Sequence, residues 1–234
     1  MPTPPSLRQI AAEWADCTRC GLCKDRKNVV LGHGSAKAGI MLVGEAPGAE
    51  EDEYGWPFIG PSGDVLTQLL GNAGLTDRPL TERECERLAE GTLDARTMLD
   101  VRRGLFTTNL VCCRPEDNRD PSDAEAEACW PRLAAQIYAV DPLLIVAVGK
   151  KASEFLVGRG VSVLDDHGRI FDVRMPGLHR PWTVPVMVTL HPSYLLRNRD
   201  LREGGPWSNA HEDLEMAKEV VDLMRHAYGG GNVG

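Results

Sequence analysis

No stretch of this sequence approaches the ~20 consecutive apolar residues that span a bilayer, and its first residues, Met1-Pro2-Thr3-Pro4-Pro5, carry neither a basic region nor an apolar stretch of the kind that directs export. The expectation is a cytoplasmic chain with no membrane partner. Positive charge is also short: 26 Lys and Arg stand against 34 Asp and Glu, a formal net charge of -8. Bulk charge therefore cannot hold nucleic acid, and any polyanion partner needs a local basic surface. There is no internal repeat, and the seven cysteines are an odd number, so a fully paired disulfide framework would leave one thiol over. A chain of 234 residues, 42% of them hydrophobic, has apolar material enough for a core without such staples, and one domain over 1–234 is expected.

The cysteines that are present cluster. Cys17, Cys20 and Cys23 form C-x-x-C-x-x-C, Cys112 and Cys113 are adjacent, Cys129 follows, and Cys85 stands apart. In a reducing compartment thiolates gathered without a cation repel one another, so the distribution points to a metal site.

Short runs rich in Val, Ile and Leu recur at 40–43, 105–111, 143–148 and 184–190. Each is too short for a helix and is expected as a buried strand. Helical signals lie between them, the clearest at Ser122 with Glu125 three residues on, a capping box opening a helix over 123–138. Further helices are expected over 62–73, 150–157 and 211–226. Such alternation predicts an α/β fold, a three-layer α/β/α sandwich around a mainly parallel four-stranded sheet. The charged segment 76–103 is expected as a surface insertion with a short helix at 82–90 and no nameable chemistry, and the Pro-rich start and Gly-rich end as frayed.

Ligands of open α/β sheets bind beyond the carboxyl ends of the strands. After the first run comes Gly44-Glu45-Ala46-Pro47-Gly48, a tight loop with amides free to face a ligand. The second run carries Thr108-Asn109 and leads to Cys112-Cys113-Arg114-Pro115. The last leads into His191-Pro192-Ser193-Tyr194-Leu195-Leu196-Arg197. Singly, each has a plain structural reading: a turn, a core histidine, core leucines. Their joint placement at strand ends is what points to a site.

These residues resemble the motifs of the family-4 uracil-DNA glycosylases, the iron-sulfur branch of that superfamily. Gly44 to Gly48 with Glu51-Asp52, Gly55, Pro57-Phe58-Ile59-Gly60 and Gly63 is similar to the first motif. Thr108-Asn109-Leu110-Val111 with Cys113-Arg114-Pro115, Asn118-Arg119-Asp120-Pro121 and Cys129 is similar to the middle block, and the segment from His191 to Arg197 to the last, where the family often has Ala in place of Ser193. The likeness runs from Cys17 to Arg197 and fails over 76–103.

The resemblance implies an enzyme that flips uracil out of DNA and hydrolyses its N-glycosidic bond, leaving an abasic site. Phe58 would stack on the base, Asn109 would face uracil N3-H and O4, Glu51 would crowd the position of a thymine methyl, and Gly44 and Ala46 would complete the pocket. His191 and the loop amides would stabilise the leaving group, with Glu45 positioning the attacking water. One of Leu195 and Leu196 would fill the vacated step and Arg197 would meet a phosphate. Asn118 occupies the place of a histidine that forms a covalent adduct in one relative of the superfamily, so turnover here is expected to be hydrolytic.

The resemblance also implies a [4Fe-4S] cluster on Cys17, Cys20, Cys113 and Cys129, structural in role. On residue types alone tetrahedral zinc remains open, although zinc modules usually bring two close pairs. The N-terminal run lacks the further Cys and Pro of a ferredoxin. Cys23 and Cys112 are left without a role, because neighbours in an extended segment point to opposite faces and Cys112 and Cys113 are not expected to ligate together. Cys85 is an ordinary thiol. The expected partner is uracil-containing DNA, met by a cytoplasmic, nucleoid-associated monomer. The alternative is a non-catalytic iron-sulfur DNA-binding module of the same fold.

Overall fold

The computed structural model describes residues 4–175 and 182–229; the ends expected to fray, 1–3 and 230–234, lie outside the described residues. The strands are β1 (His33–Gly34), β2 (Ile40–Gly44), β3 (Phe106–Asn109), β4 (Leu144–Val148), β5 (Ile170–Met175) and β6 (Trp182–Thr189), joined in one sheet in the order β1-β3-β2-β4-β6-β5. The four apolar runs become its central strands, β3-β2-β4-β6, all parallel.

The four-stranded expectation is two strands short, because β1 and β5 add antiparallel edges. A search for continuous apolar runs misses β5, whose Ile-Phe-Asp-Val-Arg-Met alternates and turns one face to solvent. β1 is only two residues long.

Around the sheet lie α1 (Leu7–Trp14), α2 (Ala49–Tyr54), α3 (Pro61–Asn72), α4 (Glu82–Ala89), α5 (Ala95–Val101), α6 (Asp123–Val140), α7 (Lys150–Leu156), α8 (Val163–Asp166), α9 (Pro192–Arg197) and α10 (Pro206–Gly229). Alternation along each strand divides the core. Met41, Val43, Ile145 and Val186 face α6 and α7 through Leu133, Ile137, Ala152 and Leu156. Ile40, Leu42, Val146 and Met187 face α3, α9 and α10 through Leu66, Leu70, Leu195, Leu214 and Val221. The α6 capping box forms as expected: Ser122 Oγ accepts the Glu125 N–H at 3.3 Å, and Glu125 Oε2 accepts the Ser122 N–H at 2.8 Å. α10 starts at Pro206, five residues ahead of the expectation, since proline suits the first turn of a helix. Among the described residues no helix is long and apolar enough to cross a membrane.

The insertion holds two helices, α4 and α5, rather than one. They close a small core of their own from Leu80, Leu88, Leu93 and Met98. α9 decides between the two leucines. Leu195 has no exposed surface and packs in the layer shared with α3 and α10, so it is not a DNA-contacting residue; Leu196 is half-buried and Arg197 exposed. Leu195→Ala empties a closed site and is expected to cost about 2–5 kcal/mol, read as a lower urea midpoint with an unchanged slope.

Candidate active site and cysteine recess

The carboxyl ends of all four parallel strands open into one cavity of about 590 Å³. The chain leaves β2 for β3 on one side, then recrosses to β4 on the other, and the crevice this leaves is where open sheets bind ligands. Glu45, Ala46, Glu51, Phe58, Asn109, His191 and Arg197 all line it, together with Asn118, Asp120, Lys150 and Ser193.

Gly44 lies beneath the cavity rather than in its wall. It pairs in register with Asn109, and a Cβ there would come 2.4 Å from Asn109 Oδ1 and 2.5 Å from Phe58 Cζ. The missing side chain is what lets the carboxamide and the ring meet over the strand. Among the described residues the Asn109 side chain, on a residue only 3% exposed, makes no hydrogen bond and keeps its donor and acceptor for a ligand.

Phe58 sits at φ 52°, a left-handed conformation unfavourable for a bulky residue. Its surroundings hold it there. Glu51 Oε1 accepts the N–H groups of Ile59 and Gly60, each at 3.2 Å, while Oε2 accepts that of Gly48 at 3.1 Å, so one carboxylate ties both pocket loops. Arg102 Nη2 donates to the Phe58 carbonyl at 2.8 Å, and a Cβ at Gly63 would strike that oxygen at 2.0 Å. Arg102 closes the insertion, so the segment 76–103, for which the sequence offered no nameable chemistry, supports the Phe58 loop.

His191 caps α9. Its Nδ1 accepts the Ser193 N–H at 3.1 Å with Ser193 Oγ at 2.8 Å, which leaves the ring proton on Nε2. Desolvation, helped by Arg197, holds its pKa at about 4, so the imidazole is neutral near pH 7. Gly149, at φ +91°, makes room for it: a Cβ would lie 2.8 Å from that of His191. The Phe58 and His191 rings stand 6.5 Å apart, tilted by 36°. Glu45 behaves oppositely. Desolvation and then the Asp120 carboxylate push its pKa to about 7, with Lys151 opposing. Asp120 is a site residue for which sequence reasoning had no role, since nothing in the sequence sets it against Glu45.

A second recess gathers six of the seven cysteines: Cys17, Cys20, Cys23, Cys112, Cys113 and Cys129. The chain bends at 110–113 instead of running extended, so Cys112 and Cys113 both line it, correcting the expectation that they diverge. Cys112 Sγ lies 3.5 Å from Cys129 Sγ. Arg26 Nη1 reaches Cys113 Sγ and Arg132 Nη2 reaches Cys129 Sγ, each at 3.5 Å. An all-sulfur donor set with two guanidinium groups against it fits an anionic iron-sulfur cluster. Among the described residues no group of three or more His, Cys, Asp or Glu is arranged to hold a single metal ion. Cys85 lies apart, exposed, beside Gln68 and Leu80.

A carboxamide free to hydrogen-bond, an aromatic ring, a neutral imidazole and a carboxylate of raised pKa meet in one cavity at the switch point of a parallel sheet. The family model described as the uracil DNA glycosylase superfamily matches residues 31–215. The chain is similar to the type-4 uracil-DNA glycosylase of Pyrobaculum aerophilum, at 40% identity over 192 residues, covering 80% of this chain and 83% of the relative. It is 36% identical to that of Thermotoga maritima over 94% of this chain and 98% of the relative, and 32% identical to that of Saccharolobus solfataricus over 98% and 95%. The chain belongs to the uracil DNA glycosylase superfamily.

Glu51 is the joint of the pocket. Its replacement by Ala leaves three amide donors without their acceptor and is expected to cost about 1–3 kcal/mol in urea unfolding, with faster proteolytic nicking of the Phe58 loop.

Proposed function

We propose that this protein removes uracil from DNA, flipping the base into the cavity and hydrolysing its N-glycosidic bond to leave an abasic site and free uracil. The observation that carries this reading is the unengaged Asn109 carboxamide beside the Phe58 ring and His191 in one cavity. Asn109 can accept from N3-H and donate to O4, whereas cytosine presents the reverse pattern. Phe58 stacks on the base. Glu51, its carboxylate already engaged by three amides, forms a rigid wall that crowds a thymine methyl.

As the bond from C1′ to N1 breaks, its electron pair leaves with uracil and spreads onto O2, and positive charge develops on the sugar. Neutral His191 donates a hydrogen bond from Nε2 to that oxygen without giving up its proton, and the amides near Glu45 and Ala46 add to it. Glu45 orients a water toward C1′ and accepts its proton as the new C–O bond forms. Asn118 lines the cavity and offers no nucleophile for a covalent adduct. Arg197, exposed on the rim, meets a phosphate, and half-buried Leu196 is the leucine left to fill the vacated step. One chain supplies every group, so a monomer acting on DNA in the cytoplasm suffices.

Cys17, Cys20, Cys113 and Cys129 hold a [4Fe-4S] cluster. When bound it ties the N-terminal segment to the middle of the chain. Purified protein is expected to be brown with about four iron per chain, and zinc in place of iron in an anaerobic preparation would overturn the assignment. Cys85→Ser should leave the iron content unchanged.

Incubation with a single-stranded oligonucleotide carrying one uracil, followed by alkali, is expected to cut the strand at that position and to spare thymine and cytosine. Retained binding without scission would favour the non-catalytic module. Asn109→Asp and Phe58→Ala should each lower single-turnover excision by roughly 10²; full activity in both would refute the pocket.

Glu45 must be ionised to take the proton, so excision should fall as pH drops through its pKa of about 7, approaching about tenfold per unit. Asp120→Asn removes the neighbouring negative charge, lowers that pKa and should move the acid limb to lower pH. An unmoved limb would show that the Glu45–Asp120 pair does not govern it.

A further inference from the structure

Arg132 is a charged residue inside the apolar stripe of α6, with no exposed surface. Its Nη1 donates to Thr108 Oγ1 at 2.9 Å and Gln136 Oε1 at 2.8 Å. Its Nη2 is shared among the carbonyls of Asn109 at 2.7 Å and Leu110 at 2.8 Å and the sulfur of Cys129 at 3.5 Å. Nε, also buried, has no partner among the described residues. The acceptors on this guanidinium are neutral oxygens and one sulfur, and among the described residues it makes no ion pair with a carboxylate. A cation so enclosed is costly without a counter-charge, and among the described residues the group in contact that could carry one is the Cys129 sulfur, once it ligates metal.

We infer that Arg132 is a positioning residue that ties the cysteine recess to the base-reading Asn109, a link that rests on the roles proposed above for Asn109 and Cys129. The geometry is direct. One nitrogen touches a proposed cluster ligand and, at the same time, the carbonyls of two successive peptides, the one joining Asn109 to Leu110 and the next. The first of these ends β3 and sets the direction in which the Asn109 carboxamide points. The other nitrogen fixes the preceding residue through Thr108 Oγ1 and reaches back through Gln136, whose amide donates to the Leu31 carbonyl. Sulfur ligation at Cys129 thereby holds rigid, through Arg132, the group proposed to read the base. The guanidinium fork is required because an ammonium cannot span both sides at once.

The test uses the iron-bound protein as purified, with Arg132→Met, Arg132→Lys, Asn109→Ala and the double variants. Iron content, melting temperature, resonance Raman Fe–S stretching bands and single-turnover excision from a single-stranded uracil oligonucleotide are measured on each. Arg132→Met is expected to shift the Fe–S bands at unchanged iron content and to slow excision about tenfold in the wild-type background but less than about twofold on Asn109→Ala, the signature of action through that residue. Arg132→Lys, which keeps charge and bulk, should show the same coupling and serves if the Met variant does not fold. Equal fold-losses in both backgrounds, or Fe–S bands that do not move, overturn the link. An Asn109→Ala protein as fast as wild type, or a wild-type preparation without iron, overturns instead the pocket or cluster reading beneath it, and the link with it.

Discussion

The site depends on the absence of one side chain. Gly44 ends the central strand β2 directly opposite Asn109, and neither the Asn109 amide nor the Phe58 ring could occupy its position if Gly44 carried a Cβ. Close approach of this kind is what glycine permits at the end of a buried strand. Everything else about the pocket follows from keeping the two groups there. Phe58 must adopt a left-handed backbone, and the carboxylate of Glu51, the guanidinium of Arg102 and the bare Cα of Gly63 surround its loop so completely that the strain is held.

Two arginines stand behind the two groups proposed to read the base, Arg102 behind Phe58 and Arg132 behind Asn109, and both are buried. Each leaves one nitrogen without a partner among the described residues, Nη1 in Arg102 and Nε in Arg132. A purely stabilising core would have apolar residues at both places, since enclosed charges seldom favour folding over well-packed hydrocarbon. What a guanidinium supplies instead is several fixed donors aimed at backbone carbonyls, which holds an aromatic ring and a carboxamide in one orientation. That is the preorganisation a site needs when it must distinguish pyrimidines by one hydrogen-bonding pattern and one methyl group.

The same burial moves His191 and Glu45 in opposite directions. Desolvation disfavours whichever form is charged: it keeps His191 neutral, suited to hydrogen-bond donation, and raises Glu45 toward pH 7, suited to accepting a proton. Asp120 adds repulsion on Glu45, while the Ser193 amide fixes which imidazole nitrogen faces the cavity. The acidity of the chain as a whole does not oppose a polyanionic substrate, because Lys150 and Arg197 bring cationic side chains to the cavity lining.

Local chemistry sufficed to determine the parallel core, the α6 capping box, the gathering of Glu45, Asn109 and His191 at strand ends, and the clustering of the cysteines. Each of these is written in short-range patterns: apolar runs of strand length, a Ser and Glu three apart, glycines where a strand must turn. The edge strand β5 was not legible, because its alternation becomes a strand only when β6 offers it a partner. Leu195 and Leu196 are adjacent and chemically alike, and only the packing of α9 against α3 and α10 sent one into the core and left the other half-buried. The convergence of Cys112 with Cys113 needed a bend that no propensity announces. The partners of Glu45, Phe58 and Asn109, namely Asp120, Arg102 and Arg132, lie 75, 44 and 23 residues away along the chain. Such contacts are set by tertiary closure, because a buried donor or like-charged neighbour acquires its effect only when water has been excluded from around it.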